Sequence, residues 1–197
     1  MKKIMWSFTL VSLVAVVLWT VNYFQTHYHK TPEAAFEELV QTSDAAVFAL
    51  DDHQVAFLLH KDGTISIAFM YVERLFDIYK DFEVFPTKLT VFEDSLGDDI
   101  PYAADPEFLG YSFGLIQNEK VAYTTWREAP PGEEREVIPL GDFLEDPDLK
   151  NISLWSFPGA IRPADLEKML MFLDKEKKPL AIDGKKLIMR EVKEVSP

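Results

Sequence analysis

The 197-residue chain carries a formal charge of −13, 48% apolar and 13% aromatic residues, and no cysteine. That length holds one ordinary domain with an anchor but not two substantial domains, and the apolar content suffices for a packed core. The lack of thiols excludes a disulfide framework, thiolate metal sites, cysteine nucleophiles and cysteine-linked lipid anchors, while the acidic balance argues against nucleic acid, whose phosphates are bound by Lys and Arg.

Residues 4–24 (IMWSFTLVSLVAVVLWTVNYF) contain no charged side chain. At about 1.5 Å per residue, a helix over them matches a hydrocarbon core about 30 Å thick, so they are expected to form a transmembrane anchor. Trp6 near one end, and Trp19, Tyr23, Phe24 and Tyr28 near the other, suit the two headgroup levels. Lys2 and Lys3 precede the span, whereas Lys30 follows it among Glu33, Glu37 and Glu38, which keeps the N-terminus cytoplasmic. A cleaved signal peptide fits less well, because cuts after Ala15 or Thr20 place Leu13 or Leu18 where a small residue is required. Residues 1–30 therefore read as a cytoplasmic stub, anchor and juxtamembrane segment of a single-pass cell-membrane protein. Residues 31–197 read as an extracytoplasmic domain whose 17 Lys and Arg against 33 Asp and Glu leave it at −16, since Lys2, Lys3 and Lys30 all lie before it. An exported domain without cysteine suits a bacterial cell envelope.

Thr31-Pro32-Glu33 predicts a helix start, with Thr31 as cap and Phe36, Leu39 and Val40 as the buried stripe. Three apolar runs, 45–50, 55–59 and 65–72, are separated by Asp51-Asp52-His53 and Lys61-Asp62-Gly63-Thr64, which predicts an antiparallel meander. A helical turn is expected over 73–80, extended chain over 83–92, and a long acidic surface connection over 93–107. A second hairpin is expected from 110–116 and 121–126, then a Pro-rich loop over 129–136 and extended segments at 137–140 and 152–157. Pro163 opens the clearest helical pattern, with Leu166, Met169, Leu170 and Leu173 at i, i+3, i+4 and i+7. A closing hairpin is expected from 180–182 and 185–189 around Asp183-Gly184. Strands in runs, with a helix near each end, indicate an α+β domain of antiparallel hairpins rather than a doubly wound sheet.

Gly110-Tyr111-Ser112-Phe113-Gly114 matches the pattern of a serine nucleophile elbow. That device needs a strand before it, a helix after it and a histidine downstream. Here a strand pattern continues, and His27, His29, His53 and His60 all lie upstream, so Ser112 reads as a strand residue. His27 and His29 share a face if extended, but two ligands close no site, and both are expected in the outer headgroup layer. The carboxylates Glu93-Asp94, Asp98-Asp99 and Glu145-Asp146 with Asp148 lack the spacing of a calcium loop and read as solvated charge. Asn151-Ile152-Ser153 is a glycosylation sequon only in a eukaryotic context.

No phosphate-binding loop or dinucleotide fingerprint occurs, and no catalytic, cofactor-binding or metal-ligating residue is assigned. The expected function is that of an acidic, membrane-anchored envelope module, non-enzymatic, binding a protein or peptide in assembly or regulation. The alternative is a membrane-tethered hydrolase with a carboxylate-based site. The expected partners are the lipid bilayer through the N-terminal helix and an unknown envelope protein or peptide, with no nucleic acid. A net −16 favours a basic or cation-bridged partner.

Overall fold

The structure, a computed structural model, describes residues 2–50, 54–73, 78–92, 96–104, 110–130, 132–141, 143, 150–159, 163–182, 185–190 and 192, with the side chains of 2–11, 25, 27, 73, 163 and 164 outside that description. It is a mostly β protein with few helices, of α+β character. Two compact units divide it: unit 1 is Met1–Ser43, Val47–Phe57 and Ala68–Val84, and unit 2 is Asp44–Ala46, Leu58–Ile67 and Phe85–Pro197.

Helix α1 (Lys2–His27) leads into strand β1 (Tyr28–His29) and helix α2 (Pro32–Thr42). Strands β2 (Ala46–Leu50), β3 (Val55–Leu59), β4 (Thr64–Glu73) and β5 (Ile78–Thr90) follow, and the sheet order is β1-β5-β4-β3-β2. The expected meander is therefore present. Its β3–β4 turn is built as the sequence requires: Gly63 takes φ +77, a left-handed conformation that glycine adopts without a Cβ penalty. Asp62 Oδ1 accepts hydrogen bonds from the Thr64 hydroxyl at 2.6 Å and the Thr64 amide at 3.0 Å, and those two bonds hold its carboxyl below the usual range.

In unit 1, Thr31 caps α2 by accepting a hydrogen bond from the Ala34 amide at 3.3 Å. The buried face differs from the expected one. Ala35 is buried and Phe36 and Leu39 half-buried, while Val40 is 47% exposed. Phe36 packs edge-on against Phe82 of β5, with centroids 6.5 Å apart, and this contact sets the helix's rotation.

In unit 2, β10 (Ile138–Pro139), β11 (Ile152–Pro158), β7 (Tyr111–Gln117), β6 (Asp99–Ala104) and β14 (Lys186–Arg190) form one sheet in that order. A second sheet runs β13 (Pro179–Leu180), β12 (Leu170–Leu173), β8 (Tyr123–Trp126), β9 (Arg135–Glu136). Helix α3 (Pro163–Met169) precedes β12 directly. The inner residues of β7 and β11 are buried along their length, as continuous apolar runs covered on both faces should be. Trp155 is fully buried among Tyr102, Phe157 and Phe172, with ring centroids 6.4, 6.4 and 6.1 Å away.

Gly114 makes that packing possible. It lies in β7 opposite both Trp155 of β11 and Tyr102 of β6. Strands two apart in a sheet are about 9.5 Å from each other, so the Tyr102 and Trp155 rings close to 6.4 Å by leaning over the missing side chain. A Cβ at 114 would fall 2.5 Å from the Pro101 carbonyl oxygen and 2.7 Å from both Trp155 and Tyr102.

Several expectations are corrected. Residues 99–104 form the buried strand β6 rather than part of a surface connection, because IPYAA supplies an apolar run that flanking acids and Pro101 disguise. β7 and β8 do not pair as a hairpin: β7 pairs with β6 and β11, and β8 with β9 and β12. α3 ends at Met169, and Leu170–Leu173, expected on the helix, is strand β12, paired with β8. A short apolar run fits either period, and pairing partners decided it. The closing hairpin is also absent, since β13 pairs with β12 while β14 runs parallel to β6. Residues 78–80 are strand rather than helical turn, and 74–77, 93–95, 105–109, 131 and 183–184 lie outside the described residues.

A transmembrane anchor is not among the features shown. A helix does form over Lys2–His27, yet among the described residues no helix is long and apolar enough to cross a membrane.

Candidate functional site: a cleft bordered by two sheet edges

A cleft of about 520 Å³ in unit 2 is lined by both β13 and β14, each the terminal strand of its sheet. A terminal strand keeps one row of backbone polar groups that its own sheet does not use; in β14 the strand is five residues long, whereas the two-residue β13 has no N–H at Pro179. Apolar side chains, among them Ile100, Leu170, Phe172, Leu180 and Leu187, form the walls. They reach the cleft because β12 passes straight out of α3: the Arg127 amide donates to the Met169 carbonyl at 2.8 Å, which pins the end of β8 to the join.

The charged lining is Arg127, Lys185 and Lys186 against Glu167. In a chain of net −13, this cleft is locally cationic. Lys185 donates to the Gly97 carbonyl, and its amide to the Ile182 carbonyl at 3.4 Å, so its position is fixed, while Arg127 and Lys186 are exposed. Behind the cleft, burial assisted by the Glu167 carboxylate pushes the Tyr102 phenol up to about 12.

Unit 1 brings together a second group. His29 Nε2 lies 2.9 Å from Asp81 Oδ1 and 3.5 Å from Glu38 Oε2. The β1–β5 register sets His29 opposite Tyr79, so Asp81, two residues further, shares its face of the sheet. Glu38 arrives on the face of α2 that carries Ala35, Leu39 and Thr42, which with Phe82 bound a pocket of about 150 Å³ beside the three side chains. The His29 side chain is only 13% exposed. No sequence spacing joins residues 29, 38 and 81; only the strand register could have found them.

The other residues weighed from sequence lie apart from both sites. Ser112 is fully buried in β7, with its hydroxyl donating to the Gly159 carbonyl at 3.0 Å. It pairs with Ala104 and Phe157 on either side, and no helix follows it. His60 Nε2 is 2.8 Å from the Ser66 hydroxyl, in unit 2. Asp98 and Asn151 are exposed and Asp99 half-buried, in β6. The side chain of His27, and all of His53, Glu93, Asp94, Glu145, Asp146 and Asp148, lie outside the described residues. No protein-family model matches the chain, and no curated protein and no solved structure matches it.

Proposed function

We propose that this chain is a membrane-tethered, extracytoplasmic, non-enzymatic binding module that holds an extended peptide or protein segment in the unit 2 cleft. The observation that carries the reading is the cleft itself: apolar walls, three cations against one carboxylate, and two terminal strands along its border. An added strand takes its affinity from the main-chain hydrogen bonds of such an edge and its specificity from pockets for alternate side chains. The segment that fits is one in which apolar side chains alternate with Asp or Glu. The net charge of the chain points to a basic partner, but a bound segment meets the charges within a Debye length of about 8–10 Å, and there the cations prevail.

Support for the tether comes from α1. Leu13, Val16, Leu18 and Trp19 are 60–67% exposed, and the helix has no preferred polar side. A helix apolar on every side is stable when lipid or protein surrounds it, and residues 4–24 are long enough to span. Such a tether concentrates the cleft at a membrane surface.

The test uses the full chain in detergent micelles and fluorescently labelled decapeptides alternating Leu or Val with Glu, or with Lys. The acidic peptide is expected to bind at least tenfold more tightly, and K186E together with L187D should abolish the difference. Equal binding of the two peptides, or an unaffected K186E/L187D double variant, refutes the reading. For the tether, the chain should resist alkaline extraction from membranes, and a reporter fused after Pro197 should be active outside the cytoplasm; activity in the cytosol overturns that part.

A further inference from the structure

We propose that His29, Glu38 and Asp81 form a binding site in unit 1 for a divalent transition-metal ion of the zinc class. The claim is independent of the unit 2 cleft. Three potential donors, one imidazole nitrogen and two carboxylate oxygens, all lie within 4.8 Å of one another. Around a zinc ion with ligand bonds of about 2.0–2.1 Å, tetrahedral geometry sets donor atoms roughly 3.3 Å apart. The distances of 2.9 Å from His29 Nε2 to Asp81 and 3.5 Å to Glu38 bracket that value, so small side-chain rotations suffice to admit an ion.

Position and chemistry agree with this. The imidazole is largely buried with Nε2 directed at both carboxylates, whereas Glu38 and Asp81 are 53% and 40% exposed and leave a solvent-side approach. Two carboxylates facing the imidazole carry two negative charges that a divalent cation balances. A nitrogen donor selects against calcium and magnesium, which take oxygen ligands, and favours zinc, cobalt or nickel. Three protein ligands leave a coordination position for water or for an incoming group, and the small adjoining pocket provides room for it. The competing account is an ion pair between a protonated His29 and its two neighbours, which needs no metal.

The ligands come from β1, α2 and β5, so the ion would clip three separate stretches of unit 1 together. Binding to the folded state alone raises its stability in proportion to the logarithm of metal concentration. The experiment takes the full chain, without a histidine tag, in detergent micelles, and titrates Co²⁺ while recording its ligand-field absorption. One Co²⁺ per chain is expected, displaced by Zn²⁺ but not by equal Ca²⁺ or Mg²⁺, with Zn²⁺ raising the thermal midpoint. E38Q and D81N should each weaken binding at least tenfold and H29Q more, while H60Q leaves it unchanged. E38Q changes an exposed side chain and the Co²⁺ spectrum needs no variant, so a folding failure of H29Q leaves the outcome readable. Absence of Co²⁺ binding, or binding indifferent to E38Q, D81N and H29Q, refutes the site and leaves only the ion pair.

Discussion

Replacing Gly114 with Ala sets two physical effects of opposite sign against each other. In a strand interior, glycine is less favourable than alanine by roughly 0.5–1 kcal/mol, so backbone entropy alone predicts stabilisation. Packing predicts the reverse. The added methyl would stand 2.5 Å from the Pro101 carbonyl oxygen and 2.7 Å from Trp155 and Tyr102, contacts far shorter than non-bonded carbon atoms tolerate. The first obstacle is backbone of β6, and the others are the ring of Trp155 and the Cβ of Tyr102, both fully buried residues, so none is a flexible end that can swing away. Overpacking of this kind costs about 1–3 kcal/mol, and the added methyl must also part rings now 6.4 Å apart. The net expectation is a loss of about 1–2 kcal/mol, or roughly 2–8 °C in thermal midpoint for a chain of this size. The assay is thermal and urea unfolding of the full chain in micelles, followed by tryptophan fluorescence and near-ultraviolet circular dichroism. An unchanged or raised midpoint for G114A would show that β6 and β11 are not held together across β7 as described.

Ser112 is expected to matter only for stability: S112A removes one buried hydrogen bond to the Gly159 carbonyl and should cost about 1 kcal/mol in urea unfolding while leaving peptide binding intact. Loss of a measurable activity in S112A, without loss of stability, would revive the hydrolase reading. Tyr102 points the other way, since its buried hydroxyl and the Trp155 indole nitrogen make no hydrogen bond to the described residues. Y102F should be neutral or stabilising in thermal unfolding, and a loss above about 1 kcal/mol would mean that the hydroxyl is satisfied. The same residue sets an alkaline limit: its folded pKa of about 12 exceeds the ordinary value near 10, so the folded state retains the proton longer. Stability from this group is therefore complete below about pH 10 and declines as pH rises towards 12, and Y102F should flatten that decline in equilibrium unfolding.

Local chemistry was legible in the sequence wherever a short stretch determined its own conformation. Thr31 with Pro32 gave the start of α2, and Asp62-Gly63 the β3–β4 turn, because cap and turn geometry depend on residues within three positions. Pairing across long separations was not legible. Leu166 to Leu173 satisfies a helical period over its whole length, yet β8 supplies a strand partner for its second half, and nothing in the apolar spacing records that partner. The candidate sites failed for the same reason. The cleft unites β6, α3, β12, β13, β14 and Arg127 just beyond β8, and the His29 group depends on residue 29 lying across from residue 79. At Gly110-x-Ser112-x-Gly114 the strand reading of Ser112 agrees with β7: the spacing of a catalytic motif arises from a glycine that two aromatic side chains require and a buried serine.

If α1 acts as the proposed tether, its join to β1 determines what it can transmit. The helix runs to His27, the next residue already pairs with Lys80, and α2 begins at Pro32, so within unit 1 no flexible linker intervenes between the helix and the sheet. A helix on a flexible linker fixes only concentration, whereas one continuous with a strand also fixes the orientation of that strand. His29 stands at this join, two residues beyond the helix end, held to Asp81 of β5 and Glu38 of α2. Inserting four Gly-Ser residues between His27 and Tyr28 keeps the apolar span but lets β1 leave its register. If orientation matters, the insertion should preserve membrane retention and the thermal midpoint of unit 2 while abolishing Co²⁺ binding by the His29 group. Unaltered Co²⁺ binding would mean that the β1–β5 pairing forms without help from the helix.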